Sequence, residues 1–247
     1  RQWAAMVDSW KKRYPVFQEG YRDQKGSVNP YFFIKVLCEE MREGDVLVHE
    51  AAGNCVVTSQ TFEAKPDQRV FSNNGNSSLG YALPAAIGAA IATNRKVLCV
   101  TGDGGLNFNI QELQTIKHYG LPVKILVFNN YAYGITKLYR DTNFKSEYAG
   151  VDAEHGMSSP DFMKVADAYG ISAVHINDQR RGIGHECKSA SRGRHRLVLQ
   201  RGRFEVLTHL LPNQLAGPLI KGSNELALRP IAVEYEQVAE QDRRTGG

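Results

Sequence analysis

Long hydrophobic runs are scarce in this chain. The longest, around residues 81–92, is interrupted by Pro84 and Gly88 and is too short to cross a bilayer, so no membrane partner is expected. No basic-then-apolar segment opens the sequence, and nothing marks it for export. Cysteine is also sparse. Cys38, Cys55, Cys99 and Cys187 are the four present. They form no CxxC pair and no metal-ligand spacing, which argues against a disulfide scaffold or a zinc site. Free, mostly buried thiols in a reducing compartment are the simpler reading, and a cytoplasmic location follows from it.

An excess of one charge is missing from most of the chain. Residues 1–178 carry 18 basic and 19 acidic side chains, whereas residues 179–247 carry 12 and 7. The net charge of +4 therefore comes from the tail. Seven arginines lie between Arg180 and Arg203, with no aromatic side chain until Phe204. A basic stretch without aromatics offers no stacking platform for single strands, so no nucleic-acid partner is expected.

What is present is an alternation of short β-branched runs with helical patterns. Residues 1–25 read as a linker helix from a missing preceding domain, with Trp3, Met6, Val7 and Trp10 at helical spacing. A helix over 31–41 has Asn29 as N-cap and Pro30 at its first position. Strands are predicted over 45–48, 97–100, 123–128 and 171–176, with helices over 56–62, 82–92, 110–119 and 159–169. Asn109 and Glu112 suggest a capping box for the third of these helices, and Ser158 or Ser159 a cap for the fourth. The alanines and glycine of 82–92 suggest close packing. The expected fold is α/β, a parallel β-sheet with helices on both faces, of Rossmann-like topology. Residues 26–178 form the domain. The periodicity then fails, and 179–247 read as a divergent or partly disordered basic tail, within which Leu197-Val198-Leu199 still has strand character.

Two strand ends carry the chemistry. The strand at 97–100 runs into Gly102-Asp103-Gly104-Gly105, and the strand at 123–128 into Asn129-Asn130. One helix joins them, so a right-handed crossover sets the strands parallel and opens both carboxyl ends on one edge, where open α/β sheets bind ligands. Asp103 offers a carboxylate, Asn130 an amide oxygen, and the turn beyond it a backbone carbonyl. These hard oxygen donors suit Mg²⁺, which completes its octahedron with phosphate oxygens and water. Glycines let the backbone approach an anion at a helix start. The residues thus suggest a metal-bridged diphosphate site.

Gly-Asp-Gly, 24 intervening residues and Asn-Asn resemble the signature of the thiamine-diphosphate enzymes. A second block, Ser77-Ser78-Leu79-Gly80-Tyr81-Ala82-Leu83-Pro84 and onward to Ala90, looks like the preceding segment in acetolactate synthases and benzoylformate decarboxylases. A third, Asn109-Ile110-Gln111-Glu112-Leu113-Gln114-Thr115, is similar to acetolactate-synthase-like members. The likeness runs over about 28–176 and implies the C-terminal diphosphate-binding domain of such an enzyme. It implies thiamine diphosphate and Mg²⁺ as cofactors. Asp103 and Asn130 would hold the metal by side chain and Ala132 by its carbonyl. Gly104 and Gly105 would give amides to the diphosphate. Gly53 and Asn54 would lie in a second diphosphate loop. Leu79 would wedge beneath the bent cofactor, and the carbonyl of Ser77 would meet its amino group. Gly102, Tyr133 and Gly134 complete the cofactor-binding set, and Tyr131, Tyr133 and Tyr139 are candidates for lining the site.

The implied activity is decarboxylation of pyruvate or a related 2-oxo acid and transfer of the two-carbon enamine to a carbonyl acceptor. The family's activating glutamate belongs to a pyrimidine-binding domain, normally on the other subunit of a homodimer or homotetramer. Glu50, Glu63 and Glu112 stand in the wrong blocks to replace it, so no catalytic residue is expected in this chain. Gly134-Ile135-Thr136-Lys137 departs from the glutamine-tryptophan pattern of branched-chain acetolactate synthases and leaves the second substrate open. A 2-oxo acid decarboxylase or oxidase, or a non-catalytic cofactor-binding or dimerising fragment, are the alternatives. A nucleotide-binding dehydrogenase domain predicts GxGxxG, and the segment from Gly102 to Asn107 lacks the last glycine.

Overall fold

The computed structural model describes residues 2–25, 27–176 and 196–201. Its strands are β1 (Val46–His49), β2 (Arg69–Phe71), β3 (Val97–Gly102), β4 (Val123–Asn129), β5 (Ala173–Ile176) and β6 (Arg196–Arg201). Its helices are α1 (Gln2–Arg13), α2 (Pro30–Glu40), α3 (Ala52–Thr61), α4 (Ala82–Thr93), α5 (Asp103–Phe108), α6 (Glu112–Tyr119), α7 (Gly134–Asn143) and α8 (Phe162–Ala168). The six strands form one sheet in the order β2-β1-β3-β4-β6-β5. Every neighbouring pair is parallel. From β1 the chain steps outward to β2, then returns to place β3 on the other side of β1. The order reverses there, and open α/β sheets bind ligands at such a reversal.

Period-two alternation sorts the strand residues between two layers. Val46, Val48, Val97, Cys99, Val123, Ile125 and Val127 share one buried cluster with Ala82 and Ala86 of α4, Leu113 and Ile116 of α6, and Phe162 of α8. On the opposite face, Phe33 of α2 meets Phe128 of β4 edge-on, with ring centroids 5.4 Å apart. Helices thus cover both faces, as the alternation of patterns predicts.

Local chemistry explains several element starts. Asn29 Oδ1 accepts from the Tyr31 and Phe32 amides at 2.9 and 3.2 Å, and Pro30 opens α2. Helix α1 forms as its spacing predicts, with Trp3, Met6 and Trp10 exposed. Elsewhere the structure corrects the reading. Helix α3 begins at Ala52, four residues before the predicted start. The glycine turn after β3 is itself the first turn of a short helix, α5. Helix α8 begins at Phe162 and is capped by Asp161, which accepts from the Met163 and Lys164 amides. The helical backbone begins three residues after Ser159, so that serine is not its cap. Residues 196–201 lie in the sheet as β6, between β4 and β5. The remainder of the basic tail, with Cys187, lies outside the described residues.

The small-residue helix α4 packs by its alanines and not by its glycine. Ala86 is fully buried, while a Cβ at Gly88 would touch nothing within 4 Å. Opposite effects follow from two enlargements on the same helix. Ala86→Leu should destabilise the protein by about 1–3 kcal/mol through overpacking. Gly88→Ala should stabilise it by about 0.5–1 kcal/mol by stiffening the unfolded chain. Urea denaturation of both variants checks the two signs.

Candidate functional site

Strands β3 and β4 pair with Gly102 opposite Phe128. Asp103 and Asn129 therefore leave the sheet at the same level, at its carboxyl edge. The helices that follow β1, β3 and β4 all start at this edge. Their N-cap residues, Ala51, Gly102 and Tyr133, make no side-chain capping bond. Asn29 and Asp161 cap α2 and α8, whereas α4 and α6, with Tyr81 and Gln111 at their N-caps, also make no side-chain capping bond. A helix start presents N–H groups and a positive dipole end, which together favour an anion.

Asp103 is the acid at this edge and is 2% exposed. Its Oδ1 accepts from the Gly104 amide at 2.9 Å, and Ser159 Oγ donates to Oδ2 at 3.4 Å. Burial raises its carboxyl to about 6, while hydrogen bonds from the backbone of Gly104 and Tyr131 and from Ser159 offset part of the rise. Among the described residues no lysine, arginine or histidine pairs with it. A buried carboxylate without a cation costs on the order of several kcal/mol. The site is one in which a cation would be stabilising. No cluster of three or more His, Cys, Asp or Glu side chains gathers among the described residues. The further oxygen donors on the turn after β4 are neutral.

Those donors lie on a strained turn. Tyr131 has a φ of +58°, unusual for a side-chain-bearing residue. Its amide donates to Asn129 Oδ1 at 3.2 Å, and the Ala132 amide to Asn130 Oδ1 at 3.3 Å. The turn is pinned from outside by a bridge between Ala132 and Asp152, and by the Tyr133 amide donating to the Val151 carbonyl at 2.8 Å. Close approaches hold the parts together. A Cβ at Gly104 would stand 2.3 Å from Tyr133 Cε1, and one at Gly134 would stand 2.8 Å from Asn130 Nδ2. The Tyr133 ring therefore lies against the glycine turn, while Tyr131 and Tyr139 are exposed.

Asn54, in the first turn of α3, is 4% exposed, and its Oδ1 has no hydrogen-bond partner. Its Nδ2 lies 3.5 Å from where a Cβ on Gly102 would project. A side-chain amide presents two N–H donors at one end and an acceptor at the other, and a flip exchanges them without changing shape. Gly53 sits beside it in the same uncapped turn.

The loop with Ser77 and Leu79 reaches the same edge by another route. Ser77 is exposed with φ +48°, Leu79 is half-buried, and Gly80 is buried with φ +86°. Asn109 is not the cap of α6 that its spacing suggests. Its Nδ2 donates instead to the Gly80 carbonyl at 2.7 Å, and the Glu112 side chain accepts from Thr115 Oγ1. A Cβ at Gly80 would fall 2.7 Å from both Asn109 Nδ2 and Phe108 Cβ. Glycine is required there by backbone sign and by space. Sequence reasoning missed Ser159, Thr101, Asp152 and the structural part played by Glu50. Thr101 and Glu50 meet across 51 residues, Ser159 meets Asp103 across 56, and Asp152 meets Lys137 across 15, so no local spacing signals those contacts.

Asp152 anchors the asparagine turn through its own contacts. Lys137 Nζ and His155 Nδ1 each lie 2.5 Å from one of its oxygens, and these hydrogen bonds, that of Lys137 first, hold its carboxyl at about 2. The folded value is below the ordinary one near 3.8. The ionised carboxylate therefore adds stability above that value, and the contribution is lost as pH falls through about 2. Asp152→Asn should be less stable than the native protein at pH 7. The gap should hold down to about pH 4 and close below it, as read by chemical denaturation across that range.

The fold and this edge together define a doubly wound α/β domain whose carboxyl edge gathers three helix starts, a buried carboxylate and neutral oxygen donors. The model of the thiamine pyrophosphate enzyme family, C-terminal TPP binding domain, matches residues 51–199, and the chain belongs to that family. An acetolactate synthase large subunit of Parasynechococcus marenigrum is 29% identical over 178 residues, covering 72% of this chain and 28% of the relative. One from Buchnera aphidicola subsp. Schizaphis graminum is 28% identical over 234 residues, covering 93% and 39%. Among solved structures, a Rhodococcus jostii thiamine diphosphate-dependent 4-hydroxybenzoylformate decarboxylase superimposes with a TM-score of 0.66 at 23% identity, covering 74% of this chain and 34% of that one. A benzoylformate decarboxylase from Polynucleobacter necessarius does so with a TM-score of 0.66 at 22% identity, covering 76% and 35%. The chain thus spans from a quarter to about two-fifths of the curated relatives it matches. Among the described residues no helix is long and apolar enough to cross a membrane.

Proposed function

We propose that this chain is the diphosphate- and magnesium-binding domain of a cytoplasmic, acetolactate synthase-like enzyme. It would decarboxylate pyruvate or a related 2-oxo acid and pass the two-carbon unit to a carbonyl acceptor. The observation that carries the reading is Asp103, a buried carboxylate with no cation paired to it among the described residues, set beside a turn of neutral oxygens and among helix starts. One carboxylate and two neutral oxygens leave half of an octahedron for phosphate oxygens and water, as Mg²⁺ prefers.

In this reading Asp103 and Asn130 hold Mg²⁺ by side chain and Ala132 by its carbonyl. The amides of Gly104 and Gly105 take the diphosphate, with Gly53 and the Asn54 amide on its other side. Gly102, Tyr133 and Gly134 close the cradle, and Tyr133 shields it from water. Leu79 supports the bent cofactor from below, and the Ser77 carbonyl accepts from its amino group. When bound, thiamine diphosphate supplies the nucleophilic carbon and the electron sink for decarboxylation. The residues of this chain bind and orient it. The proton-relay glutamate comes from the pyrimidine-binding domain of another subunit, in a homodimer or homotetramer.

Asp103→Ala in the full-length protein should abolish Mg²⁺-dependent binding of thiamine diphosphate, read by calorimetry with and without chelator. Undiminished binding would sink the site assignment. Products formed from pyruvate with thiamine diphosphate and Mg²⁺ separate the subclasses. Acetolactate is expected, acetaldehyde marks a simple decarboxylase, and acetyl phosphate marks an oxidase.

A further inference from the structure

Glu50 stands just beyond β1 and is 1% exposed. Its two oxygens serve two different segments of the edge. Oε2 accepts from Thr101 Oγ1 at 2.7 Å, immediately before the Gly102–Gly105 turn. Oε1 accepts from the Ala82 amide at 3.3 Å, three residues beyond Leu79. A Cβ at Gly105 would lie 1.6 Å from Oε2, so the carboxylate fills the space directly behind the glycine turn. Burial pushes its pKa up, and hydrogen bonds from the Thr101 side chain and from the backbone of Ala82, Gly80 and Gly102 pull it back. Two of those donors belong to the Leu79 loop and two to the glycine turn. Among the described residues no cation pairs with it.

An apolar side chain would fill this space without the cost of burying a carboxylate. An apolar side chain could not accept from both segments at once, however, and a carboxylate with about four lone-pair sites can. We propose that Glu50 is a positioning residue that couples the Leu79 loop to the Gly102–Gly105 turn, so that the support under the thiamine end and the cradle of the diphosphate end keep one fixed spacing. The inference rests on the cofactor reading above. Glu50 does not touch the reacting atoms. It acts through Gly80, Ala82 and Thr101.

The coupling separates two affinities. Inorganic pyrophosphate with Mg²⁺ needs the cradle alone, whereas thiamine diphosphate with Mg²⁺ needs the cradle and the loop at their correct spacing. Calorimetry on the full-length protein measures both. Glu50→Ala should weaken thiamine diphosphate by about tenfold, the equivalent of one or two net hydrogen bonds, and leave pyrophosphate within about threefold. Glu50→Asp keeps the charge but is one methylene too short to reach both segments, and should show the same split if the alanine variant fails to fold. Glu50→Gln keeps the length and an acceptor for Ala82 but sets an N–H₂ group against the Thr101 and Gly102 donors, and should show the split in weaker form than alanine does. Equal loss of both ligands, or loss of neither, overturns the positioning role while leaving the cofactor reading intact. Failure of the native protein to bind thiamine diphosphate overturns both.

Discussion

The parallel pairing of β3 with β4 is the constraint on which the site depends. Its register places Gly102 opposite Phe128, so the acid after one strand and the asparagines after the next emerge side by side. Because a parallel pair needs a crossover, a helix must lie between them, and its start is at the same edge. A shift of one residue along β4 would move the asparagines off the level of Asp103. It would also turn Phe128 away from Phe33 and toward the other layer. Packing of the core therefore enforces the geometry of the site.

Two buried carboxylates at this edge are handled differently. The protein satisfies Glu50 internally, with donors from the Leu79 loop and from the end of β3. Asp103 receives as many donors through slightly longer bonds, 2.9 and 3.4 Å against 2.7 and 3.3 Å, and keeps a pKa raised to about 6. The first arrangement suits a structural hub, and the second leaves a charge for a ligand to neutralise. The orphan oxygen of Asn54 and the uncapped starts of α3, α5 and α7 add to the same imbalance.

Much of this was legible in the residues because the deciding forces are local. Asn29 and Pro30 start α2 where their own chemistry says a helix begins. The β-branched runs at 97–100 and 123–128 became buried strands. Where tertiary contacts outbid local ones, the reading failed. Asn109 has the spacing of a capping box, but the Gly80 carbonyl, 29 residues away, takes its amide. Ser159 looks like a cap, but α8 starts at Phe162 under the side chain of Asp161, and the Ser159 hydroxyl reaches Asp103 instead. The glycine of α4 looked like a packing device, and it faces open space.

The sequence by itself determined the class of the domain and the ligand type, because hydrophobic periodicity sets strands and helices, and because the Gly-Asp-Gly and Asn-Asn ends need no partner to be recognised. Only the tertiary structure decided how the Leu79 loop, the glycine turn and the asparagine turn are held together. The groups that hold them, Glu50, Thr101, Asn109 and Asp152, draw their partners from distant parts of the chain. Such pairings arise only when the sheet brings those segments to one edge, and no spacing along the chain encodes them.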